Sequence, residues 1–300
     1  MSQGNFIVYC RKIYESQVNN MIDNPSKKAD LKRKQLLSRH LKNIEGQEHR
    51  LFDKKENAFM SSRINPVVDK IQDKIPDKLS STLNTAFYKG FQMVFEKGNT
   101  LIEKTYNKNK LEQDYDLNNY SVEKYPNRKH FKRLDKQSGH TKIMNSSIAA
   151  IEGGVLGILG IGLPDIPLFI SVIIKTINEI ALSYGYQYKS NEEKAYILTL
   201  ICGAMSKGDV QMRYSAKLDS MGAELDSDII RDINLKEMMR EAADQLSEAL
   251  LTAKFIQGIP FVGVIGGVVN HSIINKIGKY AKLKYKKRYL LSSLNKKNRD

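Results

Sequence analysis

GGVLGILGIGLPDIPLFISVII, residues 153–174, carries one charge, Asp165, and is interrupted by Pro164 and Pro167. A second apolar run, FIQGIPFVGVIGGVVNHSIIN at 255–275, holds no acid, lysine or arginine and is broken by Pro260. Each approaches the ~20 residues a helix needs to cross a bilayer. A proline inside a helix, however, removes a hydrogen bond and clashes with the preceding turn. In bare hydrocarbon the backbone groups freed at PDIP need partners, so a single straight span is disfavoured. Two arrangements stay open: a hairpin, re-entrant or reversibly inserting, that turns at PDIP, and a buried helical hairpin in a soluble bundle. Small residues four apart (Ala149, Gly153 and Gly157, then Gly263 and Gly267) let helix backbones approach closely in either setting.

Outward from PDIP, helical spacing continues through Leu168, Ile170, Val172, Ile173, Ile177, Ile180 and Ala181. Lys175 and Glu179 stand four apart and can pair, and Tyr184-Gly185-Tyr186 supplies a stop. Ser190 with Glu193 forms a capping box that opens a helix through Ala195, Ile197, Leu198, Ile201 and Met205. An acidic amphipathic helix is predicted around 228–252, with Ile229, Ile230, Ile233, Met238, Ala242, Leu246 and Leu250 on its apolar side. Upstream, Val67 to Ile75 and Leu79 to Ile102, separated by Pro76, predict a hairpin or kinked pair over 65–105. No stretch alternates with period two. The fold class is all-α, a helical bundle whose two glycine-rich apolar segments pack together.

Lysine and arginine number 48 against 33 acids, a net charge of +15, which favours anionic partners such as acidic lipid or nucleic acid. Residues 1–60 read as a basic, partly flexible region with one solvated amphipathic helix through Leu31, Leu36, Leu37, Leu41 and Ile44. Residues 61–292 read as the helical domain, with a mobile polar insertion at 106–142 that is too poor in aliphatic residues to bury much, and 293–300 as a basic tail. Cys10 and Cys202 have no partner motif and no signal peptide precedes them, so reduced thiols in the cytosol are expected. No CxxC, HExxH or ligand-spaced cluster of histidine and carboxylate occurs, so neither metal nor cofactor is expected.

No acid separates Glu248 from Asp300, while Lys276, Lys279, Lys282, Lys286, Lys287 and Arg288 line a helix whose apolar face is Ile273, Ile274, Ile277, Tyr280, Ala281 and Tyr285. Such a helix can lie on an anionic leaflet, with ~1 kcal/mol from each cation near the surface. It can equally be a core helix with one solvated basic face. No helix-turn-helix, RNA-stacking motif or zinc finger supports sequence-specific nucleic-acid readout.

GGxxGxxGxGLPDIP at 153–167, INEIALSYGYQ at 177–187 and EEKAYILTLI at 192–201 resemble the EcsC family. The resemblance continues in IPFVGVIGGVVNHSIINKIGKYA at 259–281 and YKKRYL at 285–290, and more loosely in KIPDKLSSTLNTAF at 74–87. The family takes its name from a gene set that also encodes an ABC-type exporter. The resemblance therefore implies a setting in membrane transport or secretion, and implies no catalytic activity.

Polar landmarks within these blocks are Asp165, Glu179, Tyr184, Asn270 and His271. Asp165 reads as a helix cap, Glu179 as a partner of Lys175 or Arg288, and Asn270 and His271 as structural polar groups. No nucleophile elbow, P-loop, dinucleotide fingerprint or Ser-His-Asp order is present, and no catalytic residue is assigned. The expected role is a non-enzymatic accessory protein on the cytoplasmic face of the cell membrane. It docks on anionic lipid through the basic C-terminal helix, in company with an ABC transporter or another membrane protein. The alternative is a soluble enzyme, a hydrolase for instance, with a pocket around Asp165 and Asn270.

Overall fold

A computed structural model describes residues 25–52, 76–98, 102–139, 165–229, 232–257 and 267–296. Among the described residues the chain is helical throughout, without a strand. The helices are α1 (Pro25–Phe52), α2 (Asp77–Met93, continued by a π-helical turn, Val94–Gly98), α3 (Lys108–Lys124), α4 (Arg128–Gln137) and α5 (Asp165–Ser183). They continue as α6 (Asn191–Met205), α7 (Gly208–Leu225), α8 (Leu235–Gln257) and α9 (Gly267–Asn295). The all-α expectation holds. The glycine-rich stretches ahead of α5 and α9, and residues 65–75, lie outside the described residues.

α5 is the core. It packs on α9, α2 and α3, and it is buried on every side, mostly apolar with one internal ion pair, Lys175–Glu179. Pro167 is the third residue of this helix as described, in the first turn, where backbone N–H groups have no intrahelical partner to lose, while Pro164 lies outside the described residues. Its buried hydroxyls are satisfied inside the helix, Ser171 donating to the Pro167 carbonyl at 2.8 Å, Thr176 to Val172 at 2.8 Å and Ser183 to Glu179 at 2.7 Å. Ile166–Ser183 is long and apolar enough to cross a membrane, yet it is almost wholly buried among the other helices.

Gly185 ends α5 as predicted. Its φ is +84°, its N–H donates to the Leu182 carbonyl, and the Tyr186 N–H reaches back to the Ala181 carbonyl at 3.0 Å, a Schellman closure. The Tyr115 ring lies 2.3 Å from where a Cβ would stand, so the site excludes any side chain. Ser190 caps α6 by accepting the Glu193 N–H at 3.2 Å. The reciprocal arm of the expected box goes elsewhere, because the Glu193 carboxylate is taken by Arg288.

Three expectations are corrected. The polar segment expected to be a mobile insertion at 106–142 contains α3 and α4, which bury Val122, Phe131 and Leu134. Asn107 and Asn127 cap them, each side chain accepting backbone N–H groups of the first turn. The helix expected to start near 228 starts at Leu235, with Asn234 accepting the Glu237 N–H, while Ile229 is exposed. α1 is not merely solvated, since Leu36, Leu37 and Ile44 are buried along α9.

Candidate functional site

The predicted polar residues separate into two buried clusters and a group at helix starts. Asp165 is the first residue of α5 and Asn270 lies in the first turn of α9, their side chains outside the described set, as is any pocket between them. His271 is exposed. Glu179 pairs with Lys175 at 2.5 Å, as its spacing predicted, with the lysine side chain 0% exposed. Burial pushes the Glu179 carboxyl up, and Lys175 only partly offsets this. Tyr106 lays its ring 5.5 Å from the Lys175 ammonium, and its hydroxyl lies 2.6 Å from that of Tyr188, which donates to Glu103 at 2.8 Å. These contacts close the α5 ion pair beneath residues 103–106. Tyr184 instead faces α4, donating to Asp135 at 3.0 Å and accepting from Ser138 at 2.7 Å. Glu179 and Tyr184 therefore do not converge on one substrate-sized site.

The basic residues of α9 are where expectation and structure part. Lys282 and Lys286 both reach Asp135 of α4, at 3.4 and 2.9 Å. Lys284, 0% exposed, bonds Glu48 of α1 at 2.8 Å, the Ser215 hydroxyl at 2.9 Å and Asp219 of α7, and Lys287 shares both acids. Arg288 joins Glu193 of α6 at 2.7 Å and Asp226, which caps α7, at 2.8 Å, and stacks on the Tyr186 ring at 4.0 Å. Burial alone would push Glu48 and Asp135 up. Lys284 and Lys287 around the first, and Lys286 and Lys282 around the second, outweigh it and hold both below their ordinary values. Lys282, Lys286, Lys287 and Arg288 are thus not lipid-facing: they bond inward. α9 is a charged rod in the core, pinned by acids from four other helices. Of the six expected lipid contacts only Lys276 and Lys279 are exposed, and the Lys276 ammonium reaches the Met205 carbonyl at 3.5 Å.

Exposed positive charge gathers elsewhere. Lys28, Lys32, Arg39 and Lys42 form an outward stripe on α1 at helical spacing. On α4, Arg128, Lys129, Lys132, Arg133 and Lys136 are exposed, while Phe131 and Leu134 face inward. His40 of α1 stacks on Phe131 of α4 at 3.8 Å, a ring contact that joins the two basic helices. Burial, then the charge of Lys286, lowers the His40 imidazole to about 4. Cys202 is buried, its thiol pushed up to about 12 by burial and the charge of Glu241, which makes it a poor nucleophile. No group of three His, Cys, Asp or Glu able to hold a metal occurs among the described residues.

Residues 38–290 match the EcsC protein family. This chain belongs to the EcsC family. An uncharacterized protein of Bacillus subtilis (strain 168), YdbA, is 25% identical over 158 residues, covering 52% of this chain and 57% of that protein. Protein EcsC of the same organism is 25% identical over 145 residues, covering 47% of this chain and 58% of its own length. The chain thus spans under two thirds of the length of these curated relatives. No solved structure matches it. The EcsC match opens inside α1, ahead of Glu48, and runs through α3 and α4 to the end of the ion-paired stretch of α9. All five acids that neutralise α9 therefore lie within the family region, as do the cations of α4, whereas Lys28 and Lys32 precede it.

Proposed function

We propose that this EcsC-family protein is a non-enzymatic accessory protein that associates peripherally with an anionic membrane surface, in the setting of transport or secretion. The observation that carries the lipid half is the distribution of charge. The basic residues 282–288 of α9 are paired internally, and among the described residues exposed cations cluster instead on the outer faces of α1 and α4. Clustered exposed cations attract an anionic leaflet, and that attraction is screened by salt. The transport half rests on the family resemblance alone. With α5 buried among its neighbours, the reading is surface docking rather than insertion of that helix.

Co-sedimentation with phosphatidylcholine vesicles, with and without phosphatidylglycerol, tests this. The expected result is binding only where phosphatidylglycerol is present, released by high salt. Failure to bind either vesicle would sink the membrane reading.

A further inference from the structure

The α3–α4 hairpin has a polarity that its family membership does not explain. α4 carries one acid, Asp135, and that carboxylate turns inward to Lys282 and Lys286. The five exposed cations of α4 are therefore left without a counter-charge on their own helix, and none of them makes an ion pair among the described residues. At the turn into α4, Lys124, Tyr125 and Arg128 are exposed, Tyr125 at 68%. A tyrosine held in water at the end of a basic helix has the amphipathic character of membrane-interface residues, with an apolar ring and a polar tip. α4 is anchored from below by the His40 stack on Phe131 and by the Tyr184–Asp135 and Ser138–Tyr184 hydrogen bonds, so its outer face is held on a rigid support.

We propose that the outer face of α4, with Tyr125 at its leading end, is the surface by which this protein docks on anionic phospholipid headgroups. The inference rests on the membrane reading above and replaces α9 as the docking element. A planar anionic surface meets all the outward cations of one helix face together, and the ring of Tyr125 settles at headgroup depth. Nucleic acid offers the same charge, but the cations lie along one cylindrical helix face with a single aromatic residue at its end, unlike a charged groove with successive stacking rings.

The test compares three proteins on phosphatidylcholine vesicles with and without phosphatidylglycerol: the wild type, the variant Arg128→Gln/Lys129→Gln/Lys132→Gln/Arg133→Gln, and the α9 variant Lys276→Gln/Lys279→Gln. All six positions are exposed, and circular dichroism melts verify that each variant is folded. The α4 variant is expected to lose about 10²- to 10³-fold in affinity for the phosphatidylglycerol vesicles, and the α9 variant less than about 30-fold. Equal binding by wild type and the α4 variant, or a larger loss in the α9 variant, overturns the assignment to α4 but keeps the membrane reading. A wild type that binds neither vesicle overturns both. Retention on duplex DNA without vesicle binding also overturns both, and would make α4 a nucleic-acid contact.

Discussion

Arg288→Met is expected to melt about 10 °C below the wild type, without loss of the wild-type helical circular-dichroism spectrum at low temperature. The guanidinium is 6% exposed, bonded to Glu193 at 2.7 Å and to Asp226 at 2.8 Å, and stacked between Tyr186 and Tyr196 at 4.0 and 5.2 Å. Methionine fills much of the space but leaves Glu193 buried without its cation. Burial already pushes the Glu193 carboxyl up, and the removal of Arg288 takes away the main counterweight. Breaking a buried pair from one side costs roughly 3–5 kcal/mol, and each kcal/mol shifts the melting temperature by ~2–4 °C in a chain of this order of size. Arg288→Lys keeps the charge but loses the planar fork, so it should fall between the two. Arg288→Met with Glu193→Leu removes both ends of that contact and should recover much of the loss, since an apolar replacement of a buried pair is often neutral. A single variant that melts within about 2 °C of the wild type would mean that Arg288 is hydrated and that α9 is not a core helix.

Lys284→Met tests the other end of the rod. Its ammonium meets Glu48 at 2.8 Å, the Ser215 carbonyl at 3.1 Å, the Ser215 hydroxyl at 2.9 Å and Asp219, with the side chain 0% exposed. The substitution leaves two acids to share Lys287, and the same ~3–5 kcal/mol is expected in urea unfolding. The effect should also be local. Glu48 is the acid by which α1 is bonded to α9, so amide exchange in the C-terminal half of α1 should quicken more than exchange in α5 or α6. Lys287→Met should cost less, because Lys284 continues to hold Glu48 and Asp219. Unchanged exchange in α1 alongside a full loss of stability would contradict the docking role of this network.

The helical architecture was legible in local signals: the apolar period of α5 and α6, the Ser190 cap, and the Gly185 stop between two tyrosines. The pairing of Lys175 with Glu179 was legible too, since it depends only on a spacing of four. What could not be read depends on partners distant in the chain. α4 offers just two buried apolar residues, Phe131 and Leu134, and their burial becomes intelligible only when His40 stacks on Phe131 and Tyr289 packs 6.5 Å from it. α7 was missed because it buries Gln211, Ser215 and Gly222 alongside a single buried aliphatic residue, Leu218, which leaves little apolar period. The same blindness produced the misreading of α9. A run of lysines looks like a solvated face until Glu48, Asp135, Glu193, Asp219 and Asp226 are brought to it, and none of those acids is near it in sequence. The candidate docking face on α4 was hidden by the complementary error, since a short polar segment rich in lysine resembles a loop when its two anchoring residues are read alone.

The positive charge of α9 at residues 282–288 is internal, whereas that of α4 is external. Brief acylation of the native protein with an amine reagent, read residue by residue by mass spectrometry, measures this directly. Lys129, Lys132 and Lys136 should modify rapidly, Lys284 should remain unmodified until the protein unfolds, and phosphatidylglycerol vesicles should protect the α4 lysines. Modification of Lys284 as fast as Lys132 in the folded protein would contradict the account.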